Sequence, residues 1–193
     1  DADIDNAVSQ LMGAAFGSSG ERCMALSVAV VVGDVVGDKL IHKLQQAMKN
    51  LKVGEYIEST NDFGPLITKE HQNKVTSYID SAESQGATIV EDGRNIIVKG
   101  CEGGFFVGGT LIDNVTSDML SYKEEIFGPV LQVVRVKNMQ EAMELIDNHE
   151  YGNGTCIFTR DGEAARYFSD NIKVGMVGIN IPVPVPVAYH SFG

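Results

Sequence analysis

Cys23 sits where a side chain can do chemistry. It ends the run Gly17-Ser-Ser-Gly-Glu-Arg22, a glycine- and serine-rich break between two apolar elements. Loops on rigid scaffolds present side chains rather than pack them. The neighbouring Arg22 and the free N–H groups of such a loop favour a thiolate over a thiol, whose unperturbed pKa is about 8.5. A thiolate beside N–H donors is the minimum for acyl transfer, a nucleophile with an oxyanion hole. The alternative is a small packed hydrophobe, the usual fate of a free cysteine. Residue type alone leaves both readings open. Cys156, between Thr155 and Ile157 in a strand pattern, reads as core, and Cys101, in Lys99-Gly-Cys-Glu-Gly-Gly104, as a turn residue.

A second feature is Lys123-Glu-Glu-Ile-Phe-Gly-Pro129. Adjacent carboxylates before an apolar pair and a Gly-Pro turn can set one acid in a cleft beside an aromatic ring. A carboxylate accepts a pair of ribose hydroxyls, and a phenyl ring supports a flat nicotinamide. The residues by themselves favour a solvated acidic turn ahead of a strand. His42, His71 and His149 fall on helices among polar neighbours and read as surface, while His190 is undecided. No His-Glu-x-x-His, phosphate-loop lysine motif or dinucleotide glycine fingerprint occurs, and no metal ligand is assigned. Three cysteines, an odd count with no Cys-x-x-Cys pair, suggest neither a disulfide framework nor a zinc site and fit a reducing compartment.

These candidates need a scaffold, and the hydrophobic pattern supplies one. Ile4, Val8, Leu11, Met12, Ala15 and Phe16 predict a helix over about 3–16. The β-branched run 27–32 predicts a buried strand, and Leu40, Leu44, Ala47, Met48 and Leu51 another helical face. A helix over about 68–85 is expected, with Thr68 as N-cap and Gly86 past its end. Short strands are expected at 88–90, 96–98, 105–107 and 111–112, and a longer one at 130–136. Asn138 and Asp161 read as N-caps of helices to 148 and 170, interleaved with strands at 155–159 and 174–179. The tail 181–187 alternates proline and must be extended. Strands alternating with helices predict an α/β domain with a largely parallel sheet.

Composition is that of an ordinary globular chain: 193 residues, 44% hydrophobic and 21% charged. The net charge of −11 offers no basic face for nucleic acid. The longest apolar run, 25–32, is far short of the roughly 20 residues that cross a bilayer. The acidic opening residues do not read as a secretory leader. No membrane role is expected.

Phe16-Gly-Ser-Ser-Gly-Glu-Arg-Cys23, Gly64-Pro-Leu-Ile67, Glu124-Glu-Ile-Phe-Gly-Pro129 and Tyr151-Gly-Asn-Gly154 occur in the order and spacing of the aldehyde dehydrogenase superfamily. The resemblance covers essentially the whole chain. Arg22-Cys-Met-Ala-Leu-Ser27, Tyr151-Gly-Asn-Gly-Thr155 and Gly178-Ile-Asn-Ile-Pro-Val-Pro-Val-Pro186 most resemble methylmalonate-semialdehyde dehydrogenases. The resemblance implies one catalytic domain over 1–193, α/β with a largely parallel open sheet flanked by helices. It implies Cys23 as nucleophile with its backbone N–H in the oxyanion hole, Glu125 and Phe127 against the nicotinamide ribose and ring, and Phe192 in the substrate pocket. Arg22 would attract the substrate carboxylate or, equally, pair with a nearby acid.

The implied reaction joins methylmalonate or malonate semialdehyde, NAD and CoA to give propionyl-CoA or acetyl-CoA with loss of carbon dioxide, as in valine catabolism. A small-molecule aldehyde is the expected partner, with CoA as co-substrate, and the full-length protein is expected to be a homo-oligomer. The compartment would be bacterial cytoplasm or mitochondrial matrix. The resemblance places the dinucleotide-binding domain, which holds most of the NAD, and the oxyanion-hole asparagine upstream of Asp1. The isolated chain is therefore expected to be inactive. Two rivals stand beside this reading: a hydrolytic dehydrogenase releasing free acid, and a catalytically silent structural or interaction domain.

Overall fold

The computed structural model describes residues 1–182. Helix α1 (Ile4–Phe16) is capped by Asp3, whose carboxylate accepts the Asn6 N–H, and buries Ala7, Leu11, Ala14, Ala15 and Phe16. It runs into the tight turn Gly17–Gly20 and then strand β1 (Val28–Val32). Helix α2 (Asp34–Met48) turns its Leu40, Leu44 and Met48 stripe inward, and α3 (Lys69–Ser84) does the same with Val75, Tyr78, Ile79 and Ala82. Strands β2 (Thr88–Glu91) and β3 (Thr110–Asp113), the single-turn helix α4 (Leu120–Lys123) and β4 (Val130–Val136) follow. The last elements are α5 (Met139–Asp147), β5 (Gly154–Ile157), α6 (Gly162–Asn171) and β6 (Met176–Ile179).

The four-stranded sheet has the order β1-β4-β3-β2. β1 and β3 both run parallel to β4, while β2 pairs antiparallel with β3. β5 and β6 form a separate parallel pair. Alternate residues of the sheet enter two cores, as the period of two requires. Ile112, Val130 and Val134 pack with Val75, Tyr78 and Ile79 of α3. Leu111, Leu131 and Val133 pack with Leu11, Phe16, Leu40 and Leu44 on the other side. A third, smaller cluster of Met143, Phe168 and Ile172 serves the β5–β6 pair. The architecture is the α/β arrangement with a largely parallel sheet that the strand and helix alternation predicted.

The three N-caps read from sequence are present: Thr68 accepts from His71 N–H, Asn138 from Glu141 N–H, and Asp161 from Glu163 and Ala164 N–H. Gly86 takes a φ of +101°, the left-handed region that a helix end demands. Two strand expectations fail. Segment 96–98 is irregular backbone between two turns, with Ile97 exposed and the Val98 carbonyl accepting the Cys101 N–H. Residues 105–107 are irregular, with Phe106 and Val107 buried and Phe105 half-buried, because the Phe105 and Phe106 carbonyls are taken by Leu66 N–H and the Gln72 amide instead of a ladder. The run 27–32 holds strand β1, but only Val31 in it is fully buried; among the described residues β1 stands at the sheet edge and pairs with β4 alone.

Candidate active site

Cys23 lies at the end of a strained turn. Ser18 and Ser19 hold left-handed φ of 54° and 58°, and Gly20 follows at +69°. Such conformations cost roughly 1–2 kcal/mol per non-glycine residue, so they persist only where neighbours hold them. Four contacts do so. Ser19 Oγ donates to the Gly64 carbonyl at 2.7 Å. The Glu21 carboxylate accepts the Ile67 N–H. Arg22 Nη2 donates to the Gly13 and Ala14 carbonyls at 2.7 and 3.1 Å. The Leu26 N–H reaches the Ala14 carbonyl at 3.1 Å.

The loop also abuts the Glu124–Pro129 segment at bare backbone. A Cβ on Gly20 would lie 2.2 Å from the Gly128 carbonyl oxygen. His71 on α3 ties both segments. Its Nε2 meets the Phe127 carbonyl at 2.6 Å and faces Glu21 Oε1 at 3.5 Å, and its ring stands edge-on to Phe127 at 6.5 Å. Burial pushes the Glu21 carboxyl up, with the nearby His71 opposing. On the far flank, Asn153 Nδ2 donates to the Cys23 carbonyl and to Met24 Sδ, both at 3.0 Å. His149 joins that flank to α4: it accepts the Tyr151 N–H on Nδ1 and donates from Nε2 to the Tyr122 carbonyl at 2.9 Å. With Nδ1 accepting, the ring proton sits on Nε2.

The four sequence motifs therefore converge on one place. Cys23 is exposed, and no acceptor for its N–H occurs among the described residues. An exposed sulfur beside an uncommitted N–H is the arrangement of a nucleophile with an oxyanion donor. Cys156, on β5, is partly buried, and that burial pushes its thiol up to about 11. Cys101 donates to Glu55 Oε1 at 2.5 Å, which raises its pKa. Only Cys23 is both exposed and free of a carboxylate partner.

Glu125 and Phe127 lie on the exposed side of the second loop. Among the described residues the Glu125 carboxylate takes no hydrogen bond or ion pair, and Phe127, at φ +56°, stands 38% exposed. An unpaired carboxylate and a presented phenyl ring fit a ribose and a planar ring. Glu124 is exposed like Glu125, but its carboxylate accepts from the Tyr78 hydroxyl of α3. Burial, then the Glu124 hydrogen bond, push the Tyr78 phenol up to about 12.

Arg22 is in no salt bridge among the described residues; Nη2 is turned back onto the end of α1, leaving its other donors unpartnered. Phe192 lies outside the described residues. His71 and His149, expected at the surface, are half-buried: His71 links the Cys23 loop to the Phe127 segment, and His149 links the Tyr151 segment to α4. Ser19, Glu21, Tyr78 and Asn153 escaped the sequence reading because their partners are at least 45 residues away. Among the described residues no group of His, Cys, Asp and Glu is arranged to hold a metal, and no helix is long and apolar enough to cross a membrane.

Residues 1–193 match the model of the aldehyde dehydrogenase family. The chain is 66% identical to a malonate-semialdehyde dehydrogenase of Pseudomonas aeruginosa over 193 residues, all of this chain and 39% of that protein. The crystal structure of methylmalonate-semialdehyde dehydrogenase from Oceanimonas doudoroffii superposes with a TM-score of 0.97 at 76% identity, over 100% of this chain and 40% of that one. Betaine aldehyde dehydrogenase of Staphylococcus aureus in complex with NAD+ gives 0.91 at 33% identity, over 96% and 37%. The chain thus spans about two fifths of the length of these relatives.

Proposed function

The chain belongs to the aldehyde dehydrogenase family, and from that premise we propose that it supplies the nucleophile and part of the cofactor contact for NAD-dependent, CoA-acylating oxidation of malonate or methylmalonate semialdehyde. The observation that carries the reading is Cys23: exposed, with a free N–H, at the meeting point of the four motifs. The relatives' names support the substrate class. We place the catalytic domain over the whole chain, with the bulk of dinucleotide binding in the remaining length that the relatives have.

Cys23 Sγ bonds to the aldehyde carbon as the thiol proton departs, and the C=O π pair becomes an oxyanion facing the Cys23 N–H. Collapse of the hemithioacetal restores C=O, releases hydride, and leaves a thioester on Cys23. NAD, when bound, is the hydride acceptor; Glu125 would hold its ribose and Phe127 would line its ring. The substrate carboxylate, for which Arg22 and Phe192 are the candidate contacts, then lies β to the thioester carbonyl. Breaking that C–C bond releases carbon dioxide and leaves an enolate that takes up a proton. The CoA thiol attacks the thioester, forming acyl-CoA and freeing Cys23, a ping-pong sequence.

The test uses a protein of the relatives' full length with malonate semialdehyde and NAD, with and without CoA. Acyl-CoA equimolar with NADH is expected. Free acid formed at the same rate in the absence of CoA supports the hydrolytic reading, and no NADH at all supports a silent domain.

A further inference from the structure

Asn153 belongs to the loop that opens β5, 130 residues from the nucleophile. Gly175 N–H donates to the Gly152 carbonyl at 2.8 Å, pinning this loop to the segment before β6. Its amide carries two donors, and both contacts it makes go to the nucleophile segment. Nδ2 lies 3.0 Å from the Cys23 carbonyl oxygen and 3.0 Å from Met24 Sδ. Among the described residues no other side chain donates to the backbone of Cys23 or Met24.

Upstream the loop is held at Ser19, Glu21 and Arg22, and downstream the Ala25 N–H closes onto the Arg22 carbonyl and the Leu26 N–H onto the Ala14 carbonyl, both at 3.1 Å. Among the described residues these bonds leave the Cys23 carbonyl itself to Asn153 alone, so the Asn153 amide sets the rotation, within the turn, of the peptide that follows Cys23. Rotation of that peptide swings the Cys23 side chain and the preceding N–H relative to anything bound opposite. Reaction geometry tolerates little of this, since a displacement of about 1 Å costs roughly a hundredfold.

We propose that Asn153 is a positioning residue for the nucleophile: its amide, donating to the Cys23 carbonyl, holds Sγ and the Cys23 N–H in register for attack on the aldehyde. The inference rests on Cys23 being the nucleophile. A donor is what the site requires, because both atoms it faces are acceptors. Asp at this position keeps the shape but sets a carboxylate against a carbonyl and a sulfur. Leu keeps the bulk and removes the donors.

The experiment compares Asn153→Leu, Asn153→Asp and Cys23→Ala in a protein of the relatives' full length, by single-turnover NADH formation and by pulse alkylation of Cys23. Asn153 is exposed, so each variant should melt within about 4 °C of the parent, an effect of about 1 kcal/mol. Both Asn153 variants should slow NADH formation at least about tenfold, a barrier change of about 1.4 kcal/mol, with Asp the worse and the KM for NAD unchanged. Alkylation of Cys23 relative to Cys101 in the same molecule should shift in the same order. If the Asp variant matches the parent in both readouts, the proposal is wrong. If Cys23→Ala still forms NADH, the nucleophile assignment itself fails, a result separate from any Asn153 outcome.

Discussion

Iodoacetamide should sort the three thiols in the order Cys23, Cys101, Cys156. Burial raises the Cys156 pKa to about 11. At pH 8 a thiol of that pKa is about 0.1% ionised, against about 24% for an ordinary exposed thiol near 8.5, so ionisation alone separates the two roughly 200-fold. Cys101 falls between them, because its hydrogen bond to Glu55 favours the protonated thiol. Raising the pH from 8 to 10 should speed Cys156 about 90-fold, while an ordinary thiol gains only about fourfold before it saturates. The stability linkage has a definite sign. The folded state holds the Cys156 proton to a higher pH than the unfolded chain, so stability falls as pH rises from about 8.5 towards 11. Short pulses at each pH, followed by peptide mass spectrometry, give the three rates. Cys156 labelling as fast as Cys23 at pH 8 in a natively folded protein would refute the reasoning.

Glu125→Gln keeps shape and removes charge, so single-turnover NADH formation should fall at least about tenfold, equivalent to about 1.4 kcal/mol. Glu124→Gln still accepts from Tyr78 and should lose much less; equal losses in the two would move the ribose contact elsewhere. Gly20→Ala puts a Cβ 2.2 Å from the Gly128 oxygen at φ +69°. That strain should cost about 2 kcal/mol or more, lowering the melting temperature by about 4–8 °C in calorimetry. The desolvated Glu21 is raised in pKa, so its ionised form is a cost above the carboxylate range that eases as pH falls. Glu21→Gln keeps an acceptor for the Ile67 N–H and should leave the melting temperature at pH 7 unchanged or higher. Glu21→Ala removes that acceptor at an exposed Ile67, where water can replace it, and should cost no more than about 1 kcal/mol.

The legible part of the fold was local. Caps at Thr68, Asn138 and Asp161 reveal themselves because a side-chain oxygen bonds an N–H two or three residues on. The face periodicity of α2 and α3 needs no partner to be recognised either. Strand identity was harder: Phe105, Phe106 and Val107 are as apolar as any strand, yet the Phe105 and Phe106 carbonyls are claimed from outside a ladder. At the proposed site, Cys23 and the Glu125–Phe127 pair were singled out from loop composition together with family resemblance. The side chains that hold them were not, since Ser19 meets Gly64, His71 meets Phe127 and Asn153 meets Cys23 only through the fold. His71 and Asn153 carry no local sign of their partners.

The central claim is that Cys23 carries the acyl group. A protein of the relatives' full length, mixed with malonate semialdehyde and NAD in the absence of CoA and quenched in acid within one turnover, should yield a thioester on the peptide containing Cys23. Adding CoA before the quench should discharge it as acyl-CoA. NADH formation with that peptide unmodified, or with the acyl group on Cys101 or Cys156, would contradict the account.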